Sequence, residues 1–389
     1  MRTCLHSVSE SFTPFVEKAS RPLRIAILGC RGVPARYGGF ETFADHLARG
    51  LVNAGMDVTV YAEGDGPDTL YEGVCVRYVK PWPLGAASVI AYDIQCLWLA
   101  RQSFDVVYML GYGAAWGCFI PRLWGTRVWV NMDGLEWARS KWHPLVKRYL
   151  KSMEWVMSRT ANRVLADAVA IKTYYEARYP RGAPCVFIPY GAHGVVPDSV
   201  GTRLARHGLV AGQYFLVVAR MEPENHILEI IQAHRHWGGP YPLVVVGDHT
   251  GDGPFCQRVR ACQSPVLRLL GAIYDPMELG ALRAGAAAYI HGHSVGGTNP
   301  SLLEAMWFGS VVVAHENPFN REVLADSGFY FDSEVTLTNA LQQVADMGHP
   351  SRAACHQATQ AVVRFKYQWS HVIQAYLLLL QSDVERVSP

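Results

Sequence analysis

Residues 293–309 read HSVGGTNPSLLEAMWFG, and their reading decides the fold. Before them, AAAYI (286–290) has the unbroken apolar character of a buried strand. A glycine-rich turn follows: Gly296, Gly297, Thr298, Asn299 and Pro300. Ser301 then opens a helix whose apolar positions are Leu302, Leu303, Ala305 and Met306, with Glu304 one turn in. This is the pattern of a phosphate cradle. Glycines let the backbone approach a ligand, and free N–H groups at a helix start attract an anion. A carboxylate inside the helix can accept hydrogen bonds from a ribose diol. The plainer alternative is an ordinary strand–turn–helix whose glycines only punctuate.

Outward from this stretch the same alternation repeats. QYFLVVARMEPENHILEIIQAH, YPLVVVGDHTG and VLRLLGAI each give a buried strand, two of them followed by a polar or glycine loop. In the first half, LRIAILGC is a strand leading to Gly38-Gly39 and a helix over Phe40, Phe43, Ala44, Leu47 and Leu51. Two successive doubly wound patterns predict an α/β fold of two Rossmann-like domains facing across a cleft. The boundaries expected are a loose tail over 1–21, a first domain over 22–191 completed by a C-terminal helix within 366–389, and a second domain over 192–365. The Pro189–Gly191 break marks the junction.

Lys plus Arg number 35 and Asp plus Glu 33, a balance that carries no nucleic-acid signature. The nine cysteines are scattered without a CxxC pair, as expected of reduced thiols in a cytoplasmic protein rather than a disulfide frame or zinc site. Residues 1–21 lack the apolar core of a secretory signal. The longest apolar run, Val106–Trp124, is broken by glycines, a proline and Arg122, and reads as strand plus helix.

Polar residues just past strand ends are where chemistry concentrates. After the strand Val128–Asn131, Asp133 and Glu136 can position an acceptor hydroxyl; equally, Asp133-Gly134 can be a turn and Glu136 a helix cap. Residues 139–163 predict a basic helix carrying Trp142 and Trp155, either a solvated face or a contact for an anionic membrane surface. His291 and His293 flank a strand end, where a satisfied structural role is favoured over a metal site.

Four blocks in order, RGVPARYGGFET (31–42), NMDGLEWARSKW (131–142), ARMEPEN (219–225) and HSVGGTNPSLLEA (293–305), give the chain a resemblance to retaining GT-B glycosyltransferases of family 4. In detail it resembles the subgroup that includes bacterial rhamnosyltransferases of cell-surface polysaccharide synthesis. The resemblance implies a nucleotide-sugar co-substrate with no further cofactor, dTDP-rhamnose being the first choice of donor; the sequence shows no metal cluster and leaves a metal requirement open. It implies a glycan or lipid-linked acceptor, and a cytoplasmic enzyme held at the inner face of the plasma membrane. It assigns Arg220 to the donor diphosphate, the backbone of Gly296, Gly297, Thr298 and Asn299 to its phosphates, Glu304 to the ribose and Gly38-Gly39 to the opposite wall. Asp133, Arg220 and Glu304 form the expected catalytic set. Two departures stand out. Gly296 replaces the first glutamate of the family's E-x7-E pair, and Asn225 replaces a lysine. A nucleotide-sugar epimerase, a phosphorylase or a non-catalytic nucleotide-sugar-binding protein would share the scaffold.

Overall fold

The computed structural model of the chain describes residues 21–385, apart from Arg36, Tyr37, Asp133, Ser140 and Lys141. The expected catalytic Asp133 and the expected tail over 1–20 therefore lie outside the described residues. Arg21, assigned to the loose tail, is held by Asp105, its guanidinium 2.6 Å from the carboxylate.

The chain first alternates β1 (Arg24–Leu28), α1 (Gly39–Asn53), β2 (Asp57–Glu63), β3 (Thr69–Tyr71), β4 (Val74–Val79), α2 (Ser88–Leu99), β5 (Val106–Leu110), α3 (Phe119–Leu123), β6 (Arg127–Met132), α4 (Pro144–Thr160), β7 (Arg163–Ala166), α5 (Val169–Arg178) and β8 (Cys185–Phe187). These strands form one sheet in the order β3-β4-β2-β1-β5-β6-β7-β8. All pairs are parallel except β3 with β4. Strands covered on both faces need continuous apolar sequence, and β5 (VVYML) is buried throughout.

The second half runs α6 (Val200–Arg206), β9 (Phe215–Val218), α7 (Ile227–Trp237), β10 (Leu243–Val246), α8 (Pro254–Ala261), β11 (Leu267–Gly271), α9 (Pro276–Gly285), β12 (Ala288–His291), α10 (Pro300–Trp307), β13 (Val312–His315), α11 (Pro318–Leu324), β14 (Phe329–Phe331), α12 (Glu334–Asp346), α13 (His349–Lys366) and α14 (Trp369–Glu385). Its sheet order is β11-β10-β9-β12-β13-β14, parallel throughout.

The basic helix predicted from residue 139 starts only at Pro144. Proline lacks an N–H and suits the first helical position, where no donor is needed. His143 Nδ1 accepts from the Leu145 N–H and caps the end. Arg139 is thereby outside the helix and turns into the cleft.

The expected terminal helix is α14, which begins at Trp369 because α13 runs on to Lys366 and the Tyr367–Gln368 link separates the two. α14 returns to the first domain. Val372, Tyr376 and Leu380, four residues apart on one face, join the apolar core of β1, β5 and α1. Tyr376 hydroxyl meets Tyr108 hydroxyl at 2.9 Å. Asp383 accepts from Trp129 Nε1 at 2.9 Å and from Arg163 Nη2 at 2.6 Å, with Arg127 at 3.7 Å.

Burial pushes the Asp383 carboxyl up, but hydrogen bonds from Arg163 and Trp129 and the charges of Arg163 and Arg127 outweigh it, so its pKa lies below the ordinary value. A depressed carboxyl pKa stabilises the fold above the unfolded value, about 3.9, and that stability is lost as pH falls through the native pKa. Asp383→Asn is expected to melt earlier than the parent chain at pH 7, by roughly 3 kcal/mol because two cations lose their charged partner. The gap should close below about pH 4. Melting curves of both proteins from pH 7 to 3 check this; a gap independent of pH would assign the effect to packing.

Candidate active site

In each sheet the chain winds outward in both directions from a central pair of strands, and ligands of such sheets sit beyond the carboxyl ends at that reversal. In the first domain the reversal lies between β1 and β5, and the loop leaving β1 carries Gly38-Gly39. In the second it lies between β9 and β12. The loop after β9 carries Arg220–Asn225, and the loop after β12 carries His293–Asn299. Three of the four sequence blocks thus converge on two switch points that face each other.

The contacts across the cleft are close. A Cβ on Gly39 would lie 3.7 Å from Pro300, at the start of α10. Gly134 has φ +68°, and a Cβ there would be 2.9 Å from Gly296 Cα. A Cβ on Gly297 would collide with the Asp167 carboxylate, and Thr298 hydroxyl donates to the Asp167 carbonyl. The glycines of the 293–309 stretch therefore serve close backbone approach between domains.

The start of α10 differs from the expectation of free N–H groups. Pro300 has none, Asn299 Oδ1 takes the Ser301 N–H at 2.9 Å, and Asn299 carbonyl takes those of Leu302 and Leu303. Asn299 is an N-cap, and its side chain is used on the protein itself. The backbone of Gly296–Thr298 is the part of this stretch that still fits the expected cradle. Gly296 has φ +131°, a conformation that side-chain-bearing residues avoid, so this loop shape excludes the first glutamate of the E-x7-E pair.

Arg220 projects into the cleft with two-thirds of its side chain exposed, 3.4 Å from Glu222 Oε2. Arg139 comes from the opposite wall to the same oxygen at 3.5 Å, while its Nε binds Glu136 at 2.6 Å. One carboxylate is thus shared by guanidinium groups of both domains. Asn225 donates to the Arg220 carbonyl at 2.7 Å and is buried; where a lysine would add charge, it closes the loop. Glu304 pairs with Arg283 of α9, whose side chain is 5% exposed. Tyr289 and Ser301 hydroxyls meet beside this pair at 2.7 Å.

Four histidines back the loop. The His291 and His293 rings stack at 4.4 Å, and those of His226 and His315 at 4.5 Å. His291 is fully buried, and neither ring nitrogen has a hydrogen-bond partner among the described residues, so the expected satisfied role is corrected to one of stacking. Burial, with Arg220, Arg139 and His226 nearby, lowers His293 to about 3, which keeps it a neutral neighbour for those cations. Among the described residues no group of three or more His, Cys, Asp or Glu side chains could hold a metal.

Sequence reasoning misses Arg139, Glu222, Asp167 and Arg283 as parts of this site. Asp167 stands just past β7, the same signal that singles out Asp133. Arg139 is hidden when the stretch around it is read as a helix. Arg283 lies on a helix behind the site and gives no local signal.

Residues 208–362 match the family model described as Glycosyl transferases group 1, and residues 23–193 match a domain of unknown function, DUF1972. No curated protein matches the chain in sequence. Among solved structures it is similar to sucrose-phosphate synthase from Thermosynechococcus elongatus, at 15% identity and TM-score 0.79, over 94% of this chain and all of that one. It is also similar to HepE from Anabaena in complex with UDP and glucose, at 17% identity and TM-score 0.75, over 92% of this chain and all of that one. The α,α-trehalose 6-phosphate synthase from Burkholderia multivorans aligns at 14% identity and TM-score 0.72, over 95% of this chain and 98% of that one. The fold is GT-B, residues 208–362 are a glycosyl transferases group 1 domain, and the chain is a glycosyltransferase.

Proposed function

We propose that the chain is a retaining family 4 transferase that moves a sugar, first of all L-rhamnose from dTDP-rhamnose, onto a lipid-linked or polysaccharide precursor. The observation that carries a nucleoside-diphosphate donor is the carboxylate of Glu222 shared by Arg220 and Arg139, both close to His293 in the loop after β12. An anion already occupies a seat between two cations, and a diphosphate fits the same seat with more charge. HepE, similar in fold, is described with UDP-glucose bound. Glu304 beside Ser301 and Tyr289 supplies a carboxylate for the ribose. Gly296 leaves the wall next to the sugar without a side chain, which suits a deoxy sugar that offers fewer hydroxyls.

Breaking the anomeric C–O bond builds negative charge on the β-phosphate, and fixed guanidinium groups aimed there lower the barrier. In a retaining reaction the leaving phosphate can take the proton of the acceptor hydroxyl on the same face, with Asp133 positioning that acceptor. Closing the cleft excludes water from the reactive donor.

Peripheral membrane attachment belongs to the same reading. Trp98, Trp116, Phe119, Leu123, Trp124, Leu145 and Trp155 are exposed on the neighbouring helices α2, α3 and α4 and the turn before α3. Arg101 stacks over Trp98 and Trp124, a pairing of cation and aromatic typical of a headgroup layer. No helix among the described residues is long and apolar enough to cross a membrane.

A thermal-shift series over dTDP, UDP, GDP and their sugars tests the donor. A ligand bound only by the native state adds about 2.7 kcal/mol at a hundredfold excess over Kd. We expect the largest shifts from dTDP and dTDP-rhamnose. Shifts from UDP or GDP species alone would discard rhamnose, and no shift from any nucleotide would overturn the cleft as a donor site.

A further inference from the structure

Away from the cleft, a surface concavity of about 980 Å³ lies between α4 and the turn joining α5 to β8. Its wall contains Arg148, Lys151, Arg159, Arg178 and Arg181, and no carboxylate stands among the described residues lining it. Three of these cations rest on aromatic rings instead of acids: Lys151 over Trp137 at 4.6 Å, Arg159 over Trp155 at 5.9 Å and Arg178 over Tyr179 at 5.7 Å. The one acid of α4, Glu154, is fully buried behind this wall, accepting from Trp137 Nε1 and the hydroxyls of Tyr174 and Tyr179.

The walls are fixed before any ligand arrives. Ala183 N–H donates to Ser158 carbonyl at 2.8 Å, and Gly182 N–H to Tyr179 carbonyl at 2.8 Å. Gly182 is pressed against α4 so closely that a Cβ would lie 3.1 Å from Ser158 Cβ. Five like charges gathered on a rigid wall repel one another, and an anion relieves that repulsion. Arginine forks match phosphate oxygens in pairs, and four of the five cations are arginines.

We propose that this concavity binds a phosphate or diphosphate group, that of the lipid-linked acceptor. The acceptor's identity rests on the function proposed above; the phosphate site rests on the pocket alone. Its position suits the role. Its near rim approaches the cleft, because Lys151 stacks on Trp137 and Trp137 follows by three residues the Gly134 that abuts Gly296; α4 carries the wall on from Lys151 to Arg159, about 12 Å farther out. The exposed Trp155 and Leu145 of α4 place the same helix toward a lipid surface. A lipid diphosphate seated here would hold its hydrocarbon tail outward and leave its glycan free to reach the cleft.

The test is calorimetric titration of the full chain with inorganic pyrophosphate at constant ionic strength, using the parent, Arg178→Gln/Arg181→Gln and Arg220→Ala. The parent should show a pyrophosphate site that the double variant weakens at least tenfold and that Arg220→Ala leaves in place, any binding at the donor cleft following the opposite pattern. The cavity wall around Arg178 and Arg181 offers them no carboxylate among the described residues, so the fold should persist without their charges. Arg148→Gln/Arg159→Gln gives a second, independent loss. Absent binding by the parent, or a loss confined to Arg220→Ala, would overturn the site. Nucleotide shifts unchanged in the double variant keep the donor cleft separate from this result. Phosphatidylcholine vesicles with and without polyprenyl diphosphate then identify the source. Capture that needs both the diphosphate and the arginines supports the lipid acceptor. Pyrophosphate binding without such capture overturns the lipid assignment and leaves a soluble phosphate compound.

Discussion

Arg220→Ala is expected to lower kcat by about two to three orders of magnitude while leaving the melting temperature unchanged. Removing one preorganised donor to a developing anion costs about 2.7–4 kcal/mol of transition-state stabilisation. The charge on the β-phosphate is larger in the transition state than in the bound donor, so the loss should fall mainly on kcat and less on KM. Stability should hold because Arg220 is exposed and its ion pair to Glu222 is loose, a contact worth about 0–1 kcal/mol. Arg139 reaches the same carboxylate oxygen from the other wall. The two cations act on one anion, so Arg139→Ala with Arg220→Ala should cost less than the sum of the single losses. Steady-state kinetics with a melting curve for each variant decide the matter. An effect confined to KM would make Arg220 a binding residue with no share in the chemistry.

Glu304→Ala should fail on two counts at once. The cleft loses the carboxylate proposed for the ribose, and hydrogen bonds to a charged group contribute about 1.5–3 kcal/mol, or roughly ten- to hundredfold in nucleotide Kd. The same substitution strands Arg283, which is buried and pairs with Glu304. Removing one member of a buried pair costs about 3–5 kcal/mol, and the partial exposure of Glu304 places this case near the lower end. A ribose role by itself would leave the fold indifferent to this change; the ion pair predicts a clear loss of stability. Arg283→Met with Glu304→Gln separates the roles, because it removes the stranded charge and keeps the shape. That protein should regain stability while nucleotide binding stays weak. A Glu304→Ala protein that melts earlier yet binds nucleotide as before would confine Glu304 to structure.

What can be read from the chain follows from local rules. The apolar runs of β1 and β5 announce a doubly covered sheet, because a short unbroken apolar run suits a strand buried on both faces. The loops after β1, β9 and β12 are visible because glycine and polar residues cluster where strands end. The start of α4 is misplaced when charge composition overrules Pro144, although proline at a first turn is itself a start signal. The helix-start donors of α10 are overcounted when Asn299 is read as a ligand contact, since its spacing to Ser301 also fits a cap. Arg283 with Glu304, and Arg139 with Glu222, are encounters between residues 21 and 83 positions apart. No periodicity encodes them; the first arises once the second sheet is wound, and the second only once the two domains meet.

The return of α14 has a consequence for synthesis. Val372, Tyr376 and Leu380 finish the core of a sheet whose last strand ends at Phe187, and Asp383 neutralises Arg163 of that sheet. At elongation rates of about 5–20 residues per second, the ribosome needs roughly 10–40 s to travel from one to the other. For that interval Phe43, Tyr108 and Trp129 lack their cover, and the half of the protein made first is the half completed last. The nascent chain therefore presents an aromatic face to the cell's holding chaperones, and the second domain assembles beside a neighbour that is still open.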